Sequence, residues 1–372
     1  MLRWTAASVA LAAAGGRAAT TRPATASAVA DVSDLVRRVR GDERVPGLWG
    51  GVVGTNGLTA IGADGWRKAG TKVRVTPGDP VHLGSCTKAM TATLIGLLVQ
   101  ANKLTLDRTL ADCFPDLAAG ADRTLAAVTV RQLLDHRSGL QANVDWHHLD
   151  GSPAPMRQKR RTIVADVLRR PPAQPPGEYL YSNLGYMTLG AIVESIENRD
   201  WEDAIRDDLF KPLGMTQSGF GPPGTIGRVD QPWGHTRQFG AWWPVQGDNA
   251  VPLGPAGRVH CPCSDWAAYI AWTLRADAAD TPLLSRATQA VLLTPSAGTY
   301  AAGWEITERK WAGGRVLVHS GDNTLWHCVT WLAPKKGFAV LSATNSSSPD
   351  VGKVCDELSS ELIRWHADAR KR

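Results

Sequence analysis

The spacing of apolar positions changes twice along the chain. Residues 49–53 and 58–61 are short runs of β-type composition joined across Thr55-Asn56-Gly57, and Asn-Gly between such runs predicts a hairpin. From 85 to about 295 the spacing turns helical, predicting helices over 129–136, 161–170, 185–198, 201–210, 264–275 and 285–293. Ser264, followed by Asp265, is the expected N-cap of its helix, and Pro212 with Gly214 ends the one before it. Loops rich in proline and glycine lie over 171–177, 221–227 and 252–257. Strand patterns then return over 301–307, 316–320, 326–333 and 338–344, with hairpin-length loops at 312–314 and 334–337 between the first two and the last two. An amphipathic helix over 351–365 closes the chain.

This order predicts an α+β fold: an antiparallel sheet split in sequence, two strands early and several late. The first and last helices pack on it, and an all-helical insert spans roughly 85–295. The expectation is one domain over 31–372, with the active site between sheet and insert. No internal repeat is visible.

One helix stands apart. After Asp79-Pro80 and Gly84 break regular structure, Ala89, Met90, Ala92, Leu94, Ile95, Leu97, Leu98 and Val99 are apolar on nearly every face, which predicts a buried helix ending near Gln100. Ser85 is expected on its first turn, with Lys88 three residues on and therefore on the same face. A serine hydroxyl beside a lysine amine suits a nucleophile and its base, provided burial or nearby positive charge keeps the amine neutral. The helix N-terminus adds unpaired N–H groups where an oxyanion would form. Alone, Ser-x-x-Lys is a common string whose usual place is a solvated helix face.

Composition narrows the classes. At 372 residues, 43% hydrophobic and 20% charged, the chain can bury a sizeable core, and no apolar run is long enough to span a bilayer. The net charge of +6 admits an acidic partner, but the densest basic cluster, 157–161, is five residues long and is expected to be a solvated helix face; nucleic-acid binding is not predicted. Arg3 followed by a short apolar run to Ala14, with small-residue sites at Ala24-Thr25-Ala26 or Ala26-Ser27-Ala28, reads over 1–30 as an export signal or a disordered tail. The first implies a periplasmic or secreted protein, the second a cytoplasmic one. Of the six cysteines, Cys261-Pro262-Cys263 lacks a second pair at zinc spacing, and Cys86 is expected to be a small core residue.

Two more short motifs carry chemistry. In Tyr181-Ser182-Asn183 a phenol relays a proton if adjacent cations lower its pKa, and the Asn183 amide holds a substrate carbonyl. His319-Ser320-Gly321 ends a predicted strand, where glycine allows close approach and the Asp322 N–H becomes a second oxyanion donor. In this order, with 133–140 (Leu-Leu-Asp-His-Arg-Ser-Gly-Leu), 212–215 (Pro-Leu-Gly-Met) and 254–257 (Gly-Pro-Ala-Gly), the motifs resemble the serine β-lactamase and penicillin-binding protein superfamily, in its class C β-lactamase and family VIII esterase branch. The resemblance spans about 47–365. It implies that Ser85 is acylated, that Lys88 and Tyr181 move its proton, that Asn183 orients the substrate, and that His319, Gly321 and Asp322 line the opposite wall. It implies no metal or cofactor, and a small ester, amide or peptide as substrate. The usual residue at 319 in β-lactamases and transpeptidases is lysine; histidine resembles esterase and D-aminopeptidase-like members instead. A class C β-lactamase, a D,D-carboxypeptidase and a penicillin-binding sensor stay open as alternatives. His136, Arg258 and His260 are expected to pack. His147-His148 lacks a ligand partner at metal spacing, and Trp233, Trp242 and Trp243 either form an acyl-chain or peptide pocket or cover the insert.

Overall fold

The computed structural model describes residues 28–41, 44–146, 149, 152–275 and 283–371. Of the expected export segment over 1–30, residues 1–27 lie outside the described residues, as do His147 and His148, while Ala30 already belongs to the folded chain.

Phe338–Thr344 joins the two ends of the chain. It pairs antiparallel with His327–Ala333 on one side and Gly47–Gly54 on the other, so the early hairpin and the late strands share one sheet. All seven of its residues are buried, as a central strand requires. Side chains alternate between faces: Val340 packs with Val52, Leu358 and Leu362, and Leu341 with Trp49, Trp266 and Ile270. The first set lies under the helices Ser33–Arg40 and Val351–Ala369, and the second under the inserted helices. Eight strands make up the sheet in the order Ala30–Asp31, Gly57–Gly65, Gly47–Gly54, Phe338–Thr344, His327–Ala333, Gly314–Asp322, Trp304–Arg309, Tyr300–Ala301. It is not wholly antiparallel, because the edge strand Ala30–Asp31 pairs parallel with Gly57–Gly65.

The predicted helices are present with shifted ends: Val130–Leu134, Met156–Leu168, Asn183–Glu197, Trp201–Ile205 running into a π-turn over Arg206–Phe210, Cys263–Leu274 and Arg286–Leu292. Thr129, Ser182 and Ser285 cap three of them by accepting backbone N–H bonds. Ser264 caps nothing: the helix already starts at Cys263, after Pro262. The insert is also not all-helical. Pro80–His82, Val259–Pro262 and Gly219–Phe220 form a small sheet, and Gly234–Gln238 with Ala241–Val245 a hairpin. Runs of two to five residues hold too little periodicity to signal a strand. Within 252–257, expected to be a loop, Gly254–Gly257 closes a short helical turn.

The basic run is not uniformly solvated. Arg160 is fully buried between Glu194 and Glu202, and its Nε donates to the Pro252 carbonyl at 3.0 Å. All six cysteines are buried and free. Among the described residues no helix is long and apolar enough to cross a membrane.

Candidate active site

Ser85 sits in a 3-10 turn, Gly84–Cys86, that feeds the helix Thr87–Gln100, rather than on the helix itself. Gly84 takes φ 46°, a conformation that favours glycine, and swings the chain off the strand end at His82. One turn on, Lys88 is buried completely, and its Nζ lies 3.0 Å from Ser85 Oγ, 2.7 Å from Asn183 Oδ1 and 2.7 Å from the Ala256 carbonyl. The Asn183 amide is oriented by its Nδ2, which donates to Asn143 Oδ1 at 3.0 Å. A carbonyl and an amide oxygen only accept, so a neutral amine gives its two hydrogens to them and turns its lone pair to the Ser85 hydroxyl. Burial lowers the Lys88 pKa to about 7. The expected help from nearby positive charge is absent from the causes of this shift.

Tyr181 approaches from the other side, with its ring 4.8 Å from Lys88 Nζ. Here the structure corrects the expectation of a lowered pKa: burial pushes the phenol well above its ordinary range, opposed by a hydrogen bond with the Ser85 side chain. The phenol is therefore a neutral donor at pH 7. His136 packs 4.2 Å from its ring, and its Nδ1 accepts the Ser182 N–H at 3.0 Å. Burial, with Lys88 and His319 adding to it, holds His136 well below the usual imidazole range, and its ring braces the Tyr181-Ser182 turn, packing as expected.

The opposite wall is the strand Gly314–Asp322. An added Cβ on Gly321 would lie 1.9 Å from the Leu83 carbonyl and 3.0 Å from the Ser85 nitrogen, so only glycine lets the strand end meet the nucleophile turn. A Cβ on Gly84 would lie 2.5 Å from the Asp322 nitrogen. The backbone nitrogens of Ser85 and Asp322 are thus brought close together where the strand end meets the turn. The Asp322 carboxylate turns away, accepting from Thr324 N at 2.6 Å and Ser347 Oγ at 2.7 Å. His319 Nδ1 lies 2.6 Å from the Ser320 carbonyl and Nε2 3.0 Å from Tyr300 Oη. A carbonyl only accepts, so the ring hydrogen is on Nδ1 and Tyr300 donates to Nε2.

Ser85, Tyr181, His319 and Asp322 share a cleft of about 550 Å³, whose walls also hold Tyr179, Tyr300, Glu305, Arg309, Trp331 and Asp356. None of these six was singled out from the sequence, where they lie in unremarkable strand and loop contexts or, for Asp356, in the closing helix. Trp233, Trp242 and Trp243 do not line it; Trp233 stacks under Lys68, and Trp242 packs with the outer face of the sheet. Arg258 and His260 pack as expected, through Asp248 and the Gly221 carbonyl.

A family model described as Beta-lactamase matches residues 32–361. Penicillin-binding protein 4 of Amycolatopsis lactamdurans is 31% identical over 284 residues, 75% of this chain and 73% of that protein. Protein flp of Staphylococcus aureus (strain N315) is 23% identical over 305 residues, 80% of this chain and 59% of that protein, so the chain spans under two thirds of its length. Among solved structures, the octameric penicillin-binding protein homologue from Pyrococcus abyssi aligns with a TM-score of 0.71 at 22% identity, over 89% of this chain and 76% of the other. The D-amino acid amidase of Ochrobactrum anthropi SV3, complexed with L-phenylalanine amide, aligns with a TM-score of 0.69 at 20% identity, over 91% of this chain and 98% of the other. At these identities the structural likeness establishes the fold alone.

Proposed function

The chain belongs to the β-lactamase family, and from that premise we propose that it is a serine hydrolase that forms an acyl-enzyme on Ser85 from esters or amides. One observation carries the reading: Lys88 Nζ stands 3.0 Å from Ser85 Oγ while its other two contacts are obligate acceptors. Lys88 takes the hydroxyl proton as Oγ attacks the substrate carbonyl, and the oxygen of the tetrahedral intermediate lies between the Ser85 and Asp322 N–H groups. As the intermediate collapses, the carbon–leaving-group bond breaks and the leaving heteroatom takes a proton from Tyr181, which Lys88 resupplies. Water then attacks the ester on Ser85 by the same steps in reverse order. Asn183 fixes Lys88 and orients the bound substrate. No cofactor is required in this sequence.

The wall chemistry favours substrates without a carboxylate at that end. Glu305 and Asp356 face the cleft against Arg309, whose Nη1 donates to Thr307 and to the Glu308 carbonyl. His319 is held by Tyr300 and its own strand and supplies no permanent cation. Esters and amides with a free amine, including D-aminoacyl amides of the kind suggested by the amidase likeness, fit this wall. The 31% identity to a penicillin-binding protein favours one second reading, acylation by penicillin with fast or slow release. Time-resolved intact mass with a short p-nitrophenyl ester, a D-aminoacyl amide and a penicillin, using Ser85→Ala as control, separates them. Ester or amide turnover through a transient adduct absent from the control supports the proposal; a penicillin adduct that clears indicates a β-lactamase, and one that persists a cell-wall peptidase or sensor. No adduct and no turnover with any of the three refutes the catalytic assignment.

A further inference from the structure

A buried carboxylate outside the cleft reaches both sides of the oxyanion pocket. The Asp248 side chain is 3% exposed. Towards the nucleophile, its Oδ1 lies 2.9 Å from His82 Nε2, off the line of a good hydrogen bond. His82 Nδ1 in turn accepts the Gly84 N–H at 3.1 Å, which places the ring hydrogen on Nε2, facing Asp248. Towards the opposite wall, Asp248 Oδ1 accepts from Asn323 Nδ2 at 3.1 Å. Asn323 directly follows Asp322, and its Oδ1 accepts the Leu325 and Trp326 N–H groups, closing the turn that ends the strand. Asp248 Oδ2 accepts from Arg258 Nε at 3.0 Å. The next residue, Asn249, donates from Nδ2 to the Gly257 carbonyl at 2.8 Å, and Gly257 packs against the Gly84 backbone.

Such a group is a poor choice for stability alone. Burying a carboxylate is expensive even when paired, and apolar residues of similar volume commonly fill such space at no loss. Burial raises the Asp248 carboxyl, but His82, Arg258 and Asn323 together outweigh it and hold the group ionised. What the ion supplies is a fixed point for two segments that lie far apart in sequence. Both segments carry an N–H that must meet the same oxygen, and such donors stabilise an oxyanion only when held in place beforehand. Arg258 also offsets a negative charge that would otherwise oppose the developing oxyanion.

We propose that Asp248 is a positioning residue for the oxyanion pocket, holding the Gly84-Ser85 turn through His82 and the Asp322-Asn323 strand end through Asn323. The proposal rests on the acylation of Ser85 argued above. It is tested by Asp248→Asn, which removes the charge at nearly constant shape, assayed on a matched ester and thionoester of the same acyl group. Sulfur is a weak hydrogen-bond acceptor, so a working pocket prefers the ester and a loosened one loses that preference. The expected result is a fall of about tenfold or more in kcat for the ester, with KM changed by less than about threefold, and a fall in the ester-to-thionoester ratio of kcat/KM of about tenfold. If Asp248→Asn does not fold, Asn323→Ala cuts one of the two ties and is expected to lower the same ratio. A ratio within about twofold of the parent, whatever happens to kcat, overturns the proposal. Ester turnover that survives Ser85→Ala overturns the underlying acylation reading instead, so the two failures are told apart.

Discussion

Replacing Lys88 by methionine removes a buried amine while keeping an unbranched side chain in the same space, and its effect on stability depends on pH. In the fold the lysine loses its proton at about 7 because burial disfavours the charged form. In the unfolded chain it keeps the proton to about 10.4. Between these values the unfolded state binds more protons, so wild-type stability rises with pH across that window and is most penalised below it. The full penalty, some 3.4 pKa units at 1.36 kcal/mol each, is about 5 kcal/mol, of which about 2.6 kcal/mol is relieved between pH 6 and pH 9. Lys88→Met abolishes this dependence but leaves the Asn183 Oδ1 and Ala256 carbonyl without their donor, at about 1–3 kcal/mol each. The two proteins are thus offset at any one pH, and only the change with pH isolates the amine. Urea unfolding of both at pH 6, 7, 8 and 9 measures it: wild type minus variant should grow by about 2.6 kcal/mol over that range. In parallel, ester kcat/KM of the wild type should rise through an apparent pKa near 7 and then level. A difference constant to within about 0.5 kcal/mol, together with a flat activity profile, would refute the neutral-amine argument and with it the assignment of Lys88 as base.

Three further outcomes are expected. Tyr181→Phe should lower kcat on the ester about 100-fold or more with little change in KM, measured by p-nitrophenol release, since a neutral proton donor is lost and packing is kept. Gly321→Ala places a Cβ 1.9 Å from the Leu83 carbonyl, so it should displace the strand end and cost about 100-fold or more in kcat; full activity would show that the contact yields freely. Arg160→Met leaves the buried Glu194 and the half-buried Glu202 without their cation and should lower stability by about 3–5 kcal/mol in urea, with a neutral result showing the ion cluster to be dispensable.

Ser85 and Lys88 are legible in the sequence because three residues on one turn is a local relation, set by backbone geometry before any packing. The same holds for the early hairpin at Asn56-Gly57 and for the strand that ends in His319-Ser320-Gly321, whereas the one cap expected from the sequence, Ser264, lies inside its helix. The helical spacing of the middle and the alternation of the later strands carry the α+β layout. Resemblance, rather than periodicity, brought Tyr181 and His319 to the same place as Ser85.

Other features were decided by tertiary structure. Lys88 meets the Ala256 carbonyl 168 residues away, and a backbone oxygen has no residue type by which to announce itself. The direction of the Tyr181 pKa follows from burial, which depends on the packing of His136 and Tyr300 around the ring and not on its neighbours in sequence. Arg160 reads as one of five polar residues in a basic run, yet its partners Glu194 and Glu202 arrive from two other helices and draw it into the core. Asp248 sits in a loop without periodicity, and its contacts with His82, Arg258 and Asn323 exist only once three separate segments are packed. Sequence by itself determined the local groups and their order, because turn geometry and hydrophobic period act over a few residues. The meeting of those groups, their protonation and the frame that holds them depend on burial and long-range contact, which only the closed fold supplies.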